Sequence, residues 1–194
     1  METFVGFSKI PRLFRDIVIT EKIDGTNGQV YVATMPTDSD IPWVWTGNGL
    51  AVAAGSKSRY ITPAADNYSF AKWVQENAPE LATKLGPGRH FGEWWGQGIQ
   101  RNYGLKEKRF SLFNVTKWGD PAVRPECCHV VPVLWEGNFD TWDIRSTILT
   151  LRTHGSKAVP GYMNPEGVVV FHKAGNLLFK VMLENDNEYK GERT

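Results

Sequence analysis

Residues 17–23 and 29–35 each alternate in the two-residue period of a strand and are rich in β-branched or aromatic side chains. Between them Asp24, Gly25, Thr26, Asn27 and Gly28 are all turn formers, so the stretch reads as strand, tight loop and strand. Residues 43–46 and 50–54 flank Gly47-Asn48-Gly49 in the same manner and predict a hairpin. Residues 68–85 change to helical spacing through Phe70, Trp73, Val74, Leu81 and Leu85, with Asn67 or Ser69 as the cap and Gly86-Pro87-Gly88 as the stop. Pro79 is expected to kink or split that helix. Strand-like runs return at 89–95, 109–115 and 129–135, and a second helix is predicted over 140–154, closed by Gly155. Residues 167–172 and 177–183 surround Lys173-Ala174-Gly175-Asn176 as a last hairpin, and a polar tail over 184–194 follows. Many strands, two helices and mostly hairpin connections predict an α+β fold with a large antiparallel component.

A length of 194 residues with 41% hydrophobic content suits one globular domain over 1–194, with no internal repeat or linker to divide it. Lys and Arg number 22 against 21 Asp and Glu, so the charge of +1 offers no global attraction to polyanions and any such site must be local. Cys127 and Cys128 are adjacent, which suits neither an ordinary disulfide nor a metal knuckle, and strand alternation is expected to aim them at opposite faces. No stretch is long and apolar enough for a membrane span, and a reducing cytoplasm is the expected setting. Residues 101–109, with Tyr103, Lys106 and Lys108, form a basic strip that reads either as a nucleic-acid contact or as a solvated loop.

Chemistry concentrates at Lys22, an amine at the junction of a strand and a loop, where a scaffold can hold a reactive group rigidly. A lysine nucleophile must shed its proton, which partial burial beside Val18, Ile19 and Ile23 favours. Gly25 and Gly28 are expected to let backbone amides approach a phosphate. The plain alternative is a surface lysine beside an ordinary turn.

The ordered set of motifs is more specific. Glu21-Lys22-Ile23-Asp24-Gly25-Thr26-Asn27 resembles the nucleotide-acceptor motif of the covalent nucleotidyltransferases, the superfamily of DNA ligases, RNA ligases and capping enzymes. The form is most similar to the nick-sealing class of phage RNA ligases, often called RNA ligase 2. Downstream, residues 55–59, Phe91-Gly92-Glu93, residues 109–115, Glu166-Gly167-Val168-Val169 and Phe179-Lys180-Val181 resemble the remaining motifs in the right order.

The resemblance implies a nucleotidyltransferase domain of twisted antiparallel sheets flanked by helices, which is expected to fill residues 1–194; that no separate C-terminal domain is expected departs from the family. It implies ATP and Mg2+ or Mn2+ as cofactors, with Lys22 taking AMP, passing it to a 5′-phosphate end and a 3′-hydroxyl displacing it. RNA is the favoured partner; such ligases usually carry a second domain after the last motif, and in its place either an accessory protein or the basic strip at 101–109 is expected to hold substrate, the alternative being a core that forms lysyl-AMP yet seals poorly alone. Lys180 and Arg59 would supply cations to the phosphates and Glu166 would hold the metal. Glu93 would bind the ribose, Phe113 would stack on adenine, Glu21 would read its edge, and Asn27 would meet the metal-bound water or the 5′-phosphate. Without the family, Phe113 reads as core, Glu166 as a turn residue, Glu93 as a strand residue and Arg59 as a loop cation.

One departure stands out: many such enzymes carry K-x-K in the last motif, and this chain has Met182 at the second position. A minimal DNA ligase, or a nucleotide-binding or nucleic-acid-binding module without turnover, is the alternative function.

Overall fold

The computed structural model describes residues 3–35, 40–184 and 186. Most of the polar tail expected over 184–194 lies outside the described residues. The chain divides into two compact units, residues 1–22 with 133–194 and residues 23–132.

The first unit is a four-stranded antiparallel sheet and one long helix. Its strands are β1 (Asp16–Lys22), β9 (Val133–Asn138), β10 (Gly167–His172) and β11 (Leu177–Met182), in the order β11-β10-β1-β9. Helix α3 (Thr141–His154) begins where the Asp140 carboxylate accepts from the Trp142 N–H at 2.8 Å. Strand alternation aims Ile17 and Ile19 of β1, with Val168 and Val170 of β10, at Leu151, Ile144 and Ile148 of that helix.

The second unit is a larger sheet, one side of which is packed by a helix. Strands β2 (Thr26–Thr34), β3 (Trp45–Gly47), β4 (Leu50–Gly55), β6 (Gly88–Gly96), β7 (Lys108–Leu112) and β8 (Cys128–Val130) run in the order β3-β4-β2-β6-β7-β8, and β5 (Tyr60–Ile61) pairs with β4. Helix α1 (Phe70–Leu85) buries Phe70, Ala71, Val74, Ala78, Leu81, Ala82 and Leu85, each large side chain contributing about 1.5–3 kcal/mol of burial. A short helix α2 (Val115–Trp118) follows β7, capped by Asn114.

Four expectations change. Strands β1 and β2 lie in different sheets, because β1 pairs with β9 and β10 while β2 pairs with β4 and β6. The run at 129–135 is two strands, β8 and β9, interrupted at Pro132, which has no N–H to offer a ladder. Helix α1 runs through Pro79 as a single element, so the proline does not split it; the carbonyl of Gln75 that it leaves without a donor belongs to an exposed residue. Its start is capped by neither Asn67 nor Ser69: the Asp66 carboxylate accepts from the N–H groups of Ala71 (2.8 Å) and Lys72 (3.0 Å).

Candidate active site

In the first unit, β1 carries Lys22 at its end and the residue before β10 is Glu166. The Lys22 ammonium donates to Glu166 Oε2 at 2.5 Å, with side chains 25% and 12% exposed. The antiparallel register explains the meeting: Lys22 pairs with Gly167, so the two chain ends lie side by side although 144 residues separate the partners. Lys180 is exposed on β11 and pairs with Val169, which pairs with Thr20 two residues before Lys22. Lys180 therefore shares a sheet face with Lys22.

Glu21, next in the chain, points to the other face. It is 1% exposed, and its oxygens accept from Ser156 Oγ (2.5 Å), Lys157 N–H (2.8 Å) and Ala158 N–H (2.9 Å). The structure does not bring Glu21 to the Lys22–Glu166 pair. Its carboxylate instead ties the turn after α3 to β1, a bond that no local pattern around Glu21 announces.

In the second unit the structure brings Asn27 to Glu93, while Phe113 and Arg59 lie elsewhere on that unit. The Glu93 carboxylate accepts from the Gly25 N–H (3.1 Å) and from Asn27 Nδ2 (3.1 Å), and Asn27 and Glu93 are paired across β2 and β6. Phe113, 42% exposed, donates its N–H to the Phe91 carbonyl at 3.0 Å, which puts the two residues opposite each other at the end of the β6–β7 ladder. Arg59 is exposed in the β4–β5 turn, held through its carbonyl by the Ser56 N–H at 2.8 Å.

The glycines of the turn serve packing. A Cβ on Gly25 would lie 2.5 Å from the Trp94 carbonyl oxygen, and one on Gly28 would lie 2.7 Å from Phe70 Cζ. The Gly25 amide is already given to Glu93, so the expectation that it faces a phosphate is corrected. The basic strip is also largely consumed internally. Arg101 Nε donates to Asp24 at 3.0 Å, Arg109 pairs with Glu107, and Tyr103, 1% exposed against Trp95, accepts from the Asp24 N–H at 2.9 Å. Sequence spacing missed this bracing of Asp24 because the partners are 77 and 79 residues distant.

The Cys127 and Cys128 sulfurs are 4.0 Å apart, contrary to the opposed arrangement that strand alternation predicts, because Cys127 precedes the first residue of β8. The hydrogen bond with the neighbouring Cys127 thiol and then burial push the Cys128 thiol up, away from the thiolate a soft metal needs. Among the described residues no three His, Cys, Asp or Glu side chains cluster as a metal cage. Glu166 offers one hard carboxylate, and a single carboxylate with waters and substrate phosphates is a donor set that suits magnesium or manganese.

A family model described as RNA ligase matches residues 15–182, a span that holds every candidate residue above. The chain belongs to the RNA ligase family. Solved structures with the same fold include a Naegleria gruberi RNA ligase variant with AMP and Mn, 17% identical with a TM-score of 0.59, covering 94% of this chain and 57% of that one. A second variant of that ligase, with ATP and Mn, is 18% identical with a TM-score of 0.58 and covers 90% of this chain and 52% of its own. The Naegleria ligase with PPi is 19% identical at a TM-score of 0.56, covering 94% of this chain and 57% of its own. This family member thus spans little more than half the length of those solved ligases. No curated protein matches it. Among the described residues no helix is long and apolar enough to cross a membrane.

Proposed function

We propose that this chain is the catalytic domain of an ATP-dependent RNA ligase that joins 5′-phosphate and 3′-hydroxyl ends through AMP carried on Lys22. The observation that carries this reading is the Lys22–Glu166 pair: a half-buried amine fixed at a strand end, within 2.5 Å of a carboxylate that can hold a divalent cation. In the first step Lys22 Nζ forms a bond to the α-phosphorus of ATP, the bond to pyrophosphate breaks, and the amine proton leaves. The Naegleria ligase structures with ATP, AMP and PPi contain the reactant and the two halves into which such a step divides it.

Each unit carries its own part of the motif set. In the first, Lys22 is the nucleophile, Lys180 supplies a cation for the phosphates, and Glu166 holds Mg2+ or Mn2+, which neutralises charge developing on the α-phosphate. In the second, Glu93 binds the ribose hydroxyls, Phe113 stacks on adenine, Asn27 orients the 5′-phosphate, and Arg59 contacts the phosphates. Glu21 acts at one remove, by fixing the turn 156–158 that it holds.

Intact-protein mass spectrometry after incubation with ATP and Mg2+ tests the reading. A gain of one AMP in the wild type and none in Lys22→Ala is expected. If the wild type gains no mass even after pyrophosphate has stripped any AMP carried through purification, the ligase reading falls. Sealing of nicked duplexes with RNA or DNA at the 3′-hydroxyl side then separates an RNA ligase from a DNA ligase.

A further inference from the structure

We propose that the outward face of the second unit's sheet, from the Asn27–Glu93 row to the Tyr31–Arg89 row, is a track for the RNA being joined, with Arg89 as its phosphate contact and Phe91 as its stacking platform. This inference rests on the ligase reading and adds a substrate subsite to it.

The register places the residues. Asn27 pairs with Glu93, Gln29 with Phe91 and Tyr31 with Arg89, so these residues share the face opposite to Val30, which is buried against the α1 side. Across β4 the same rows continue as Gly55 beside Gln29 and Ala53 beside Tyr31, small residues that are both buried, so the floor there is covered and the accessible part of the face is on β6. Tyr60 pairs with Gly55 and rises at the far side of that floor. At one end the face is closed, because Trp95 is buried against Tyr103. Beyond Glu93 it is open: Phe91 is 53% exposed and Arg89 is exposed.

The chemistry on the open stretch matches a polynucleotide. Arg89 lies 4.2 Å from the Tyr31 ring centroid and donates to the Tyr60 hydroxyl at 2.9 Å, and Trp43 lies 5.5 Å from Tyr31. The guanidinium is therefore held by aromatic rings, and among the described residues it has no carboxylate partner. It stays available to a phosphate, to which its planar fork is suited. Lys57 and Arg59, in the turn just before Tyr60, add exposed positive charge. Phe91 offers an exposed ring, and base stacking on such rings contributes about 1–3 kcal/mol per base. An acidic peptide would use the cations and leave the ring without purpose. The track continues the row of Asn27, the residue proposed above to orient the 5′-phosphate.

The test is fluorescence anisotropy of a 5′-phosphorylated single-stranded RNA oligonucleotide with the wild type, Arg89→Ala, Arg89→Lys, Phe91→Ala and the control Lys84→Ala, whose exposed lysine belongs to α1. Arg89→Ala and Phe91→Ala should each weaken binding about tenfold, Arg89→Lys less, and Lys84→Ala within about twofold. Arg89→Ala should also lower the salt slope of binding by about one. Because Arg89 also braces Tyr31 and Tyr60, photocrosslinking of thiouridine-labelled RNA to the wild type provides a reading free of substitutions, with adducts expected on 29–31, 60 or 89–91. Unchanged binding by both alanine variants, adducts confined to other segments, or a wild type that forms lysyl-AMP yet binds no RNA would overturn the track and leave the ligase reading standing. Absence of lysyl-AMP in the wild type removes that reading instead.

Discussion

Met182 stands in the same cross-strand row as Lys22, with Gly167 between them. Residues directly paired across a sheet share a face, so the position where related ligases carry a second lysine projects on the side of Lys22 and Lys180. Gly167 adds no side chain to the row, and a Cβ there would run into the Val181 carbonyl oxygen. Met182 is half-buried at the end of its strand, where a long flexible lysine can reach solvent or a phosphate. Met182→Lys is therefore expected to form lysyl-AMP at a rate equal to or above the wild type, measured by single-turnover labelling with ATP. A large loss would show that the thioether is needed for packing and that the motif is misaligned.

Glu21 offers a sharper separation of two roles. Its carboxylate accepts three bonds, and removing it leaves the buried Ser156 hydroxyl and the part-buried amides of Lys157 and Ala158 without that partner. Glu21→Ala should cost about 2–3 kcal/mol. For a chain of this size that corresponds to a fall of roughly 5–10 °C in melting temperature. If melting is unchanged while the ATP concentration needed for half-maximal labelling rises, Glu21 reads the nucleotide directly and its anchoring role is refuted.

What was legible in the chain follows the range of the interactions. Alternation in 17–23 and 29–35 is a local signal, and it located β1 and β2 to within a few residues because one-sided burial enforces the period. Their separation into different sheets was not legible, since pairing is decided by β9, β10, β4 and β6, all distant in sequence. Asp66 displaced Asn67 and Ser69 as the cap because Ser69 takes a left-handed conformation, φ 65°, which points the chain so that an earlier carboxylate reaches the free amides. At the site, the residue types of Lys22 and Glu166 were readable from motifs, whereas Asp24 gripped by Arg101 and Tyr103 depends on the fold of a loop 77 residues away.

Gly28 is expected to resist substitution for a packing reason. Its α-carbon faces Phe70 and Phe110, whose rings a Cβ would approach to 2.7 and 2.9 Å. The two rings sit 5.0 Å apart in the core and touch Trp73 and Trp94, so neither can yield alone. Gly28→Ala should destabilise by about 1–3 kcal/mol in urea unfolding. Lysyl-AMP formation well below the melting range should persist, whereas abolished labelling in a folded variant would return Gly28 to a direct phosphate role.

His90 makes stability depend on pH. Its ring is buried on β6, edge-on to Trp118 and bonded to the Gly86 carbonyl at 2.9 Å. Burial holds the imidazole below its usual value of 6.5, and the nearby Lys117 charge acts in the same direction. The sign follows from proton uptake: below 6.5 the unfolded chain takes up a proton that the folded ring refuses, so stability is full above that pH and declines as the solution is acidified toward the lowered folded value. His129, lowered by burial and by Arg109 and Arg124, adds a decline of the same sign, so the wild type alone does not isolate either ring. His90→Gln keeps a donor for the Gly86 carbonyl and removes the titration. Urea midpoints measured at pH 7.5 and 5 should therefore fall further for the wild type than for His90→Gln. Equal falls would mean that His90 accepts its proton in the folded state and that its burial carries no pH cost.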